Sequence, residues 1–213
     1  MDIATKLKKQ LADVDPDVLA RAMKDVFAGD RLLLSQEEVT SVLAAYQQVL
    51  NKKQADARKQ LGERNEAEGK RFLEANRGKE GVVTLESGLQ YKVLRQGEGP
   101  KPTLGQLVEV HYRGTHLDGT EFDNTYEKQE SVQLPVGTMI KGWTEALLLM
   151  PVGSKWQLFV PAGLAYGENG LGTRIGPGAT LLFELELLAV KDKSKRSKAS
   201  RRSSPGHPGD ADP

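Results

Sequence analysis

Apolar residues in the first third of the chain recur at helical spacing. Ile3, Leu7 and Leu11 follow i, i+4, i+8, which predicts one helix. Asp15-Pro16 then offers an N-cap followed by proline at the first helical position, so a second helix starts there. Its apolar face is Val18, Leu19, Ala22, Met23, Val26 and Phe27, and Gly29 is the residue expected for a left-handed C-terminal cap. Ser35-Gln-Glu-Glu38 reads as a capping box that opens a third helix, striped by Val39, Val42, Leu43, Tyr46, Val49 and Leu50. From Asn51 to Arg71 charge dominates, and only Ala55, Ala57, Leu61 and Ala67 remain apolar. Continued to about Asn76, the third helix is on the order of 60 Å long at ~1.5 Å per residue. Gly62 and Gly69 are its expected weak points and Asn76-Arg-Gly78 its stop.

From residue 81 the period changes from helical to two. Val82 to Leu85 and Leu89 to Leu94 read as strands around the turn Glu86-Ser-Gly88. Val108-Glu-Val-His-Tyr112 alternates cleanly, and Leu117-Asp-Gly-Thr120 is a hairpin signal. Further strands are read at Phe122, Val132 to Val136, Lys155 to Val160 and Leu181 to Leu188. One short amphipathic helix, Gly142 to Met150, is closed by Pro151-Val-Gly153. The pattern predicts an α+β protein: a twisted antiparallel sheet wrapped on one short helix, preceded by an all-α arm with a long connecting helix. The expected divisions are a helical dimerisation region at 1–50, a connecting helix at 51–80, the sheet domain at 81–190 and a disordered basic tail at 191–213.

Composition sharpens these divisions. Sixteen of the 22 glycines and nine of the twelve aromatics fall between residues 81 and 190, where short strands and tight turns need them. Thirty Lys and Arg against 29 Asp and Glu leave a formal charge of +1, with no footprint of a nucleic-acid or membrane-surface binder. The tail is basic, but no aromatics interleave its charges, so a solvated end is favoured over a nucleic-acid contact. No cysteine is present, which excludes disulfides, thiolate catalysis and Cys-ligated zinc. No apolar run approaches the ~20 residues of a spanning helix, and no signal peptide is visible after Met1. The stripe from Val39 to Leu50 exceeds what two short helices can cover, which points to a second copy of the chain, with a three-helix hairpin in a monomer as the alternative.

Candidate chemistry is sparse. His111, His116 and His207 have no metal-ligand spacing, and neither a Walker loop nor a Gly-x-Ser-x-Gly elbow occurs, so no metal and no cofactor are expected. What stands out is Tyr112, Phe122, Trp143, Tyr166 and Phe183, enough aromatic surface to line an open pocket, although each alone could be ordinary core.

Six ordered segments carry a resemblance. Leu107 to Gly114 (LVEVHYRG), Leu117 to Asn124 (LDGTEFDN), Val136 to Trp143 (VGTMIKGW), Met150 to Lys155 (MPVGSK), Val160 to Gly167 (VPAGLAYG) and Gly178 to Leu188 (GATLLFELELL) resemble the successive motifs of the FKBP-type peptidyl-prolyl cis-trans isomerases. The arm, through Met23 to Gly29 and the long third helix, is similar to that of the macrophage infectivity potentiator and FkpA subgroup of bacterial envelope proteins. The resemblance implies isomerisation of X-Pro bonds in unfolded or partly folded proteins, with associated chaperone activity, in a homodimer joined by the N-terminal helices. A proline-binding chaperone module without significant catalysis is the alternative. It implies a pocket with Tyr112, Phe122, Asp123, Ile140, Trp143, Tyr166 and Phe183 as catalytic residues, Trp143 as its floor, and the Ile140 N–H and Tyr166 hydroxyl as donors to carbonyls. Met139, Val132 and Ile175 would be further substrate contacts. Asp123 is open between an electrostatic role near the twisted carbonyl and that of an acceptor pinning Tyr112 or its loop. Val132 stands where small single-domain members carry Phe, and the glycine-rich loop from Gly167 to Gly178 lacks the family's frequent histidine. Macrolides of the rapamycin type are the implied inhibitors. The implied address is the bacterial periplasm or outer membrane, with Met1 then an internal methionine or an artificial start; a cytoplasmic enzyme is the alternative.

Overall fold

The computed structural model describes residues 15–29 and 34–191; the helix read at Ile3 to Leu11 and nearly all of the basic tail lie outside the described residues. The chain divides into two compact units, Met1–Asp56 and Ala57–Pro213. Local caps fix the helix starts. Asp15 accepts from the N–H groups of Asp17 and Val18 to open α1 (Pro16–Ala28), and Gly29 closes it at φ 70°. Before α2 (Gln36–Arg77, 42 residues) the capping box forms in both directions: Ser35 N–H donates to Glu38 Oε2 at 2.8 Å, and Glu38 N–H to Ser35 Oγ at 3.3 Å.

Gly62 and Gly69, locally costly in a helix, have a reason that lies far away in sequence. The helix runs through both. A Cβ on Gly69 would lie 2.1 Å from Thr180 Oγ1, and a Cβ on Gly178 would lie 2.6 Å from Gly62 O. Each glycine is a place where the sheet domain comes against the helix backbone. The end of α2 is locked below them: Asn76 Nδ2 donates to Gln90 Oε1 at 2.9 Å and Gln90 Nε2 to Leu73 O at 2.8 Å, with Asn76 and Gln90 only 1% and 2% exposed.

The sheet has seven strands: β1 (Val82–Thr84), β2 (Gln90–Arg95), β3 (Leu107–Thr115), β4 (Glu121–Asn124), β5 (Val132–Pro135), β6 (Lys155–Val160) and β7 (Leu181–Lys191). Their order is β1-β2-β6-β7-β3-β4, and every pair is antiparallel. One edge of β3 is shared, its first half pairing β5 and its end pairing β4. The other edge pairs β7 along its whole length. Helix α3 (Lys141–Leu149) lies on the concave face and buries Trp143, Ala146 and Leu147 against Val110, Leu158, Leu181, Phe183 and Leu185. Each fully buried Leu contributes about 1.5–3 kcal/mol, against about 0–1 kcal/mol for an exposed pair such as Lys59–Glu63, so packing holds helix to sheet. Gly142 makes the fit possible, since a Cβ there would meet Val160 Cγ1 at 2.6 Å. Among the described residues, no helix is long and apolar enough to cross a membrane.

Candidate active site

Alternation along β3 sends Val108, Val110 and Tyr112 to the face that α3 covers and His111 to the other. Because α3 is short, the far end of that face is left open. A cavity of about 320 Å³ there is lined by Tyr112, Phe122, Asp123, Leu134, Thr138, Met139, Ile140, Trp143, Tyr166 and Phe183. The floor is a chain of edge-on rings. Trp143 meets Tyr112 at 4.8 Å and Phe183 at 5.2 Å between centroids, and Phe183 meets Phe122 at 5.7 Å. Edge-to-face contacts of this kind add about 0.5–1.5 kcal/mol each beyond burial and fix ring orientation. Gly114 provides the room, since a Cβ there would sit 2.6 Å from Phe122 Cε2 and 3.0 Å from Phe183 Cε1.

Polar groups are few and placed at the rim. The Tyr112 hydroxyl donates to Asp123 Oδ2 at 2.5 Å, Lys128 Nζ lies 3.2 Å from Asp123 Oδ1, and Asn124 N–H donates to the same oxygen at 3.0 Å. Burial pushes the Asp123 carboxyl up, but the bonds from Tyr112, Lys128 and Asn124 together outweigh it. The group is held below the ordinary carboxylate value and is ionised at neutral pH. Burial and then the Asp123 carboxylate push the Tyr112 phenol well above its usual value, so it is a neutral donor throughout the physiological range. The acceptor reading of Asp123 is therefore the geometry observed. One backbone donor of a lining residue is uncommitted: among the described residues, the Ile140 N–H has no backbone or side-chain acceptor.

Eight of the ten residues named from the sequence come together here: Tyr112, Phe122, Asp123, Met139, Ile140, Trp143, Tyr166 and Phe183. Val132 and Ile175 do not line the cavity. Leu134, two residues along the same face of β5, takes the wall position, and Ile175, 2% exposed, packs into the core beside its bridge to Leu171. Leu134 was legible in the alternation Val132, Leu134; Thr138, on a turn, was not. Also missed were Lys128 and Thr125. Thr125 is 2% exposed; its Oγ1 accepts from Tyr112 N–H at 2.8 Å and donates to Tyr112 O at 3.1 Å, pinning the strand that carries the phenol. His111 lies on the outer face, with Nδ1 3.0 Å from Thr125 Oγ1 and its ring stacked on Tyr126.

Comparison with known proteins identifies the family. Residues 99–188 match the family model of the FKBP-type peptidyl-prolyl cis-trans isomerase, and residues 1–93 match that of the domain amino terminal to it. The chain is 45% identical over 190 residues to the outer membrane protein MIP of Legionella longbeachae, covering 89% of this chain and 82% of that one. It is 44% identical over 176 residues to the FKBP-type 22 kDa peptidyl-prolyl cis-trans isomerase of Escherichia coli, covering 82% and 83%. The crystal structure of FkpA from Escherichia coli superposes with a TM-score of 0.74 at 36% identity, covering 87% of each chain. The chain belongs to the FKBP-type peptidyl-prolyl cis-trans isomerases, and it carries both their isomerase domain and the domain that precedes it.

Proposed function

We propose that this isomerase acts on X-Pro bonds of unfolded or partly folded polypeptides, with the proline ring seated on Trp143 between Tyr112, Phe122 and Phe183. Rotation about such a bond crosses a barrier of ~18–20 kcal/mol because it breaks amide resonance, and no nucleophile is needed. Selective binding of the twisted amide is enough. The planar amide is the more polar form, so a dry aromatic cavity costs it more than the twisted one. The uncommitted Ile140 N–H and the hydroxyl of Tyr166 hold the flanking carbonyls, and ionised Asp123 fixes the Tyr112 ring while presenting a negative edge to the amide. The observation that carries this reading is an uncommitted backbone donor, the Ile140 N–H, beside a cavity walled by five aromatic residues. In a protease-coupled assay on a proline tetrapeptide, Trp143→Leu and Phe122→Ala should each lower kcat/KM at least about tenfold, only ~1.4 kcal/mol of transition-state binding. Wild-type rates in both variants, shown folded by circular dichroism, would sink the assignment. Rapamycin-type macrolides should compete for the same cavity.

The working form is a homodimer joined by the N-terminal helices, with chaperone activity on its clients. Phe27 is 86% exposed, Val26 63%, Val49 62% and Leu43 61%, apolar faces too large to leave in water. Two prolyl sites per assembly would raise the effective concentration for a large client. The address we favour is the bacterial envelope, supported by the name of the Legionella relative and tested by cell fractionation of the full gene product.

A further inference from the structure

The segment Gly167–Thr180 begins at the residue after Tyr166. Five of its fourteen residues are glycine. Its own order is slight: one 3₁₀ turn at Gly167–Asn169, a bridge between Leu171 and Ile175, and Gly178 N–H donating to Gly167 O. So glycine-rich a stretch loses much conformational freedom when fixed, and something outside it must do the fixing. On one side His116 Nε2 lies 3.0 Å from Arg174 O. On the other side stands α2. Arg58 donates to Asn169 O, Asn65 Nδ2 donates to Pro177 O at 2.8 Å, Gly178 closes on Gly62 O, and Gly69 faces Thr180.

Residues 58, 62, 65 and 69 are spaced four, three and four apart, which places them on one face of the helix. Two of the four are glycines, each of which weakens an isolated helix and each of which here admits the loop. Tyr166 lines the cavity and is the N-cap of the turn that opens this loop, so the backbone that follows it sets where its hydroxyl points.

We propose that the face Arg58, Gly62, Asn65, Gly69 of α2 is a positioning surface for the prolyl site, seating the loop Gly167–Thr180 and through it the Tyr166 hydroxyl. Asn65 and Gly69 are positioning residues, remote from the proline itself. The helix that follows the arm is then part of the scaffold of the site. This rests on the reading of the aromatic cavity as the prolyl site.

The test uses the full chain. Gly69→Ala, whose new methyl meets Thr180 Oγ1, and Asn65→Ala, which only removes atoms, should each lower kcat/KM on a proline tetrapeptide by roughly fivefold, the equivalent of one lost hydrogen bond. Thr180→Gly added to Gly69→Ala should restore most of the rate. In a Tyr166→Phe background Asn65→Ala should cost nothing more, because the group it acts through is gone; a general loosening of the fold would multiply the two losses instead. If Gly69→Ala does not fold, the Asn65 and Tyr166 cycle still decides. Wild-type rates in folded Asn65→Ala, or losses that multiply with Tyr166→Phe, overturn the proposal. A wild-type rate in folded Trp143→Leu overturns the cavity assignment instead.

Discussion

Gly114→Ala adds one methyl group at the point where two strands and two rings meet. In β3, Gly114 is paired with Asp123 of β4 on one side and Phe183 of β7 on the other. The added carbon would lie 2.6 Å from Phe122 Cε2 and Cζ and 3.0 Å from Phe183 Cε1. Carbon atoms rest at about 3.5–4.0 Å, so the Phe122 ring must retreat by roughly 1 Å. Phe183 is buried and held edge-on by Trp143, and His116 stands 5.1 Å from Phe122 on the outer side. The open direction is into the cavity. Overpacking of this size costs about 1–3 kcal/mol, which lowers Tm by about 2–4 °C per kcal/mol in a unit of this length. A displacement of ~1 Å in a wall of the site can cost ~100-fold in turnover, so kcat/KM should fall by about 10- to 100-fold. The assay is tetrapeptide isomerisation at low temperature beside a thermal melt. Gly163→Ala, where a Cβ meets nothing within 4 Å, is the control and should be silent in both. A Gly114→Ala protein that melts several degrees lower yet keeps kcat/KM within about twofold would show that Phe122 is no wall of the prolyl site.

Asp123→Asn, which removes the charge that Tyr112 and Lys128 address, should lower kcat/KM several-fold and bring the Tyr112 phenol part of the way down, since burial, the larger cause of its rise, remains; ultraviolet titration reads the change. No step requires a proton transfer, so kcat/KM should be flat within about twofold from pH 6 to 8.5 and His111→Gln nearly silent; an inflection within that range that vanishes in His111→Gln would refute the mechanism. Stability should behave differently. The folded-state values of Asp123, Glu109 and Glu186 are lowered, so their contributions are complete above the unfolded values near 4 and are lost as pH falls through the folded ones. Tm should therefore be level down to about pH 5 and drop below about pH 4. Asn76→Ala leaves Gln90 Oε1 buried without its donor and should cost about 1–3 kcal/mol in chemical denaturation. Leu43→Glu with Val49→Glu should give a monomer by light scattering that still isomerises peptides; a monomeric wild type at micromolar concentration would refute the dimer.

What was legible in the sequence was what is local. The Ser35 to Glu38 box, the Asp15 and Gly29 caps and the alternation of β3 are set by neighbours within a few residues, so the elements fall where their patterns place them. Gly62 and Gly69 were legible only as weak points because the cost of a helical glycine is local, whereas its reason, Thr180 and Gly178, is more than a hundred residues away. Resemblance supplied most of the cavity, but Val132 and Ile175 show its limit. Which residue of β5 reaches the opening depends on its register against β3, and whether Ile175 faces substrate or core depends on the fold of the loop around it. Thr125 and Lys128 belong to no pattern of hydrophobicity, and only the path of the chain after β4 brings them to Tyr112 and Asp123.

The position of β7 bears on how the molecule comes into being. It is the last strand among the described residues, yet it stands between β6 and β3. Without it the sheet is two separate pieces, β1-β2-β6 and β3-β4-β5, each with an open edge. Helices α1 and α2 need only local bonds and can form while synthesis continues. The domain cannot close until residues 181–191 have emerged, and Phe183, a wall of the cavity, arrives on that same strand. A nascent chain therefore has its arm before it has any prolyl site, and its own proline bonds must settle without help from the site that it will carry.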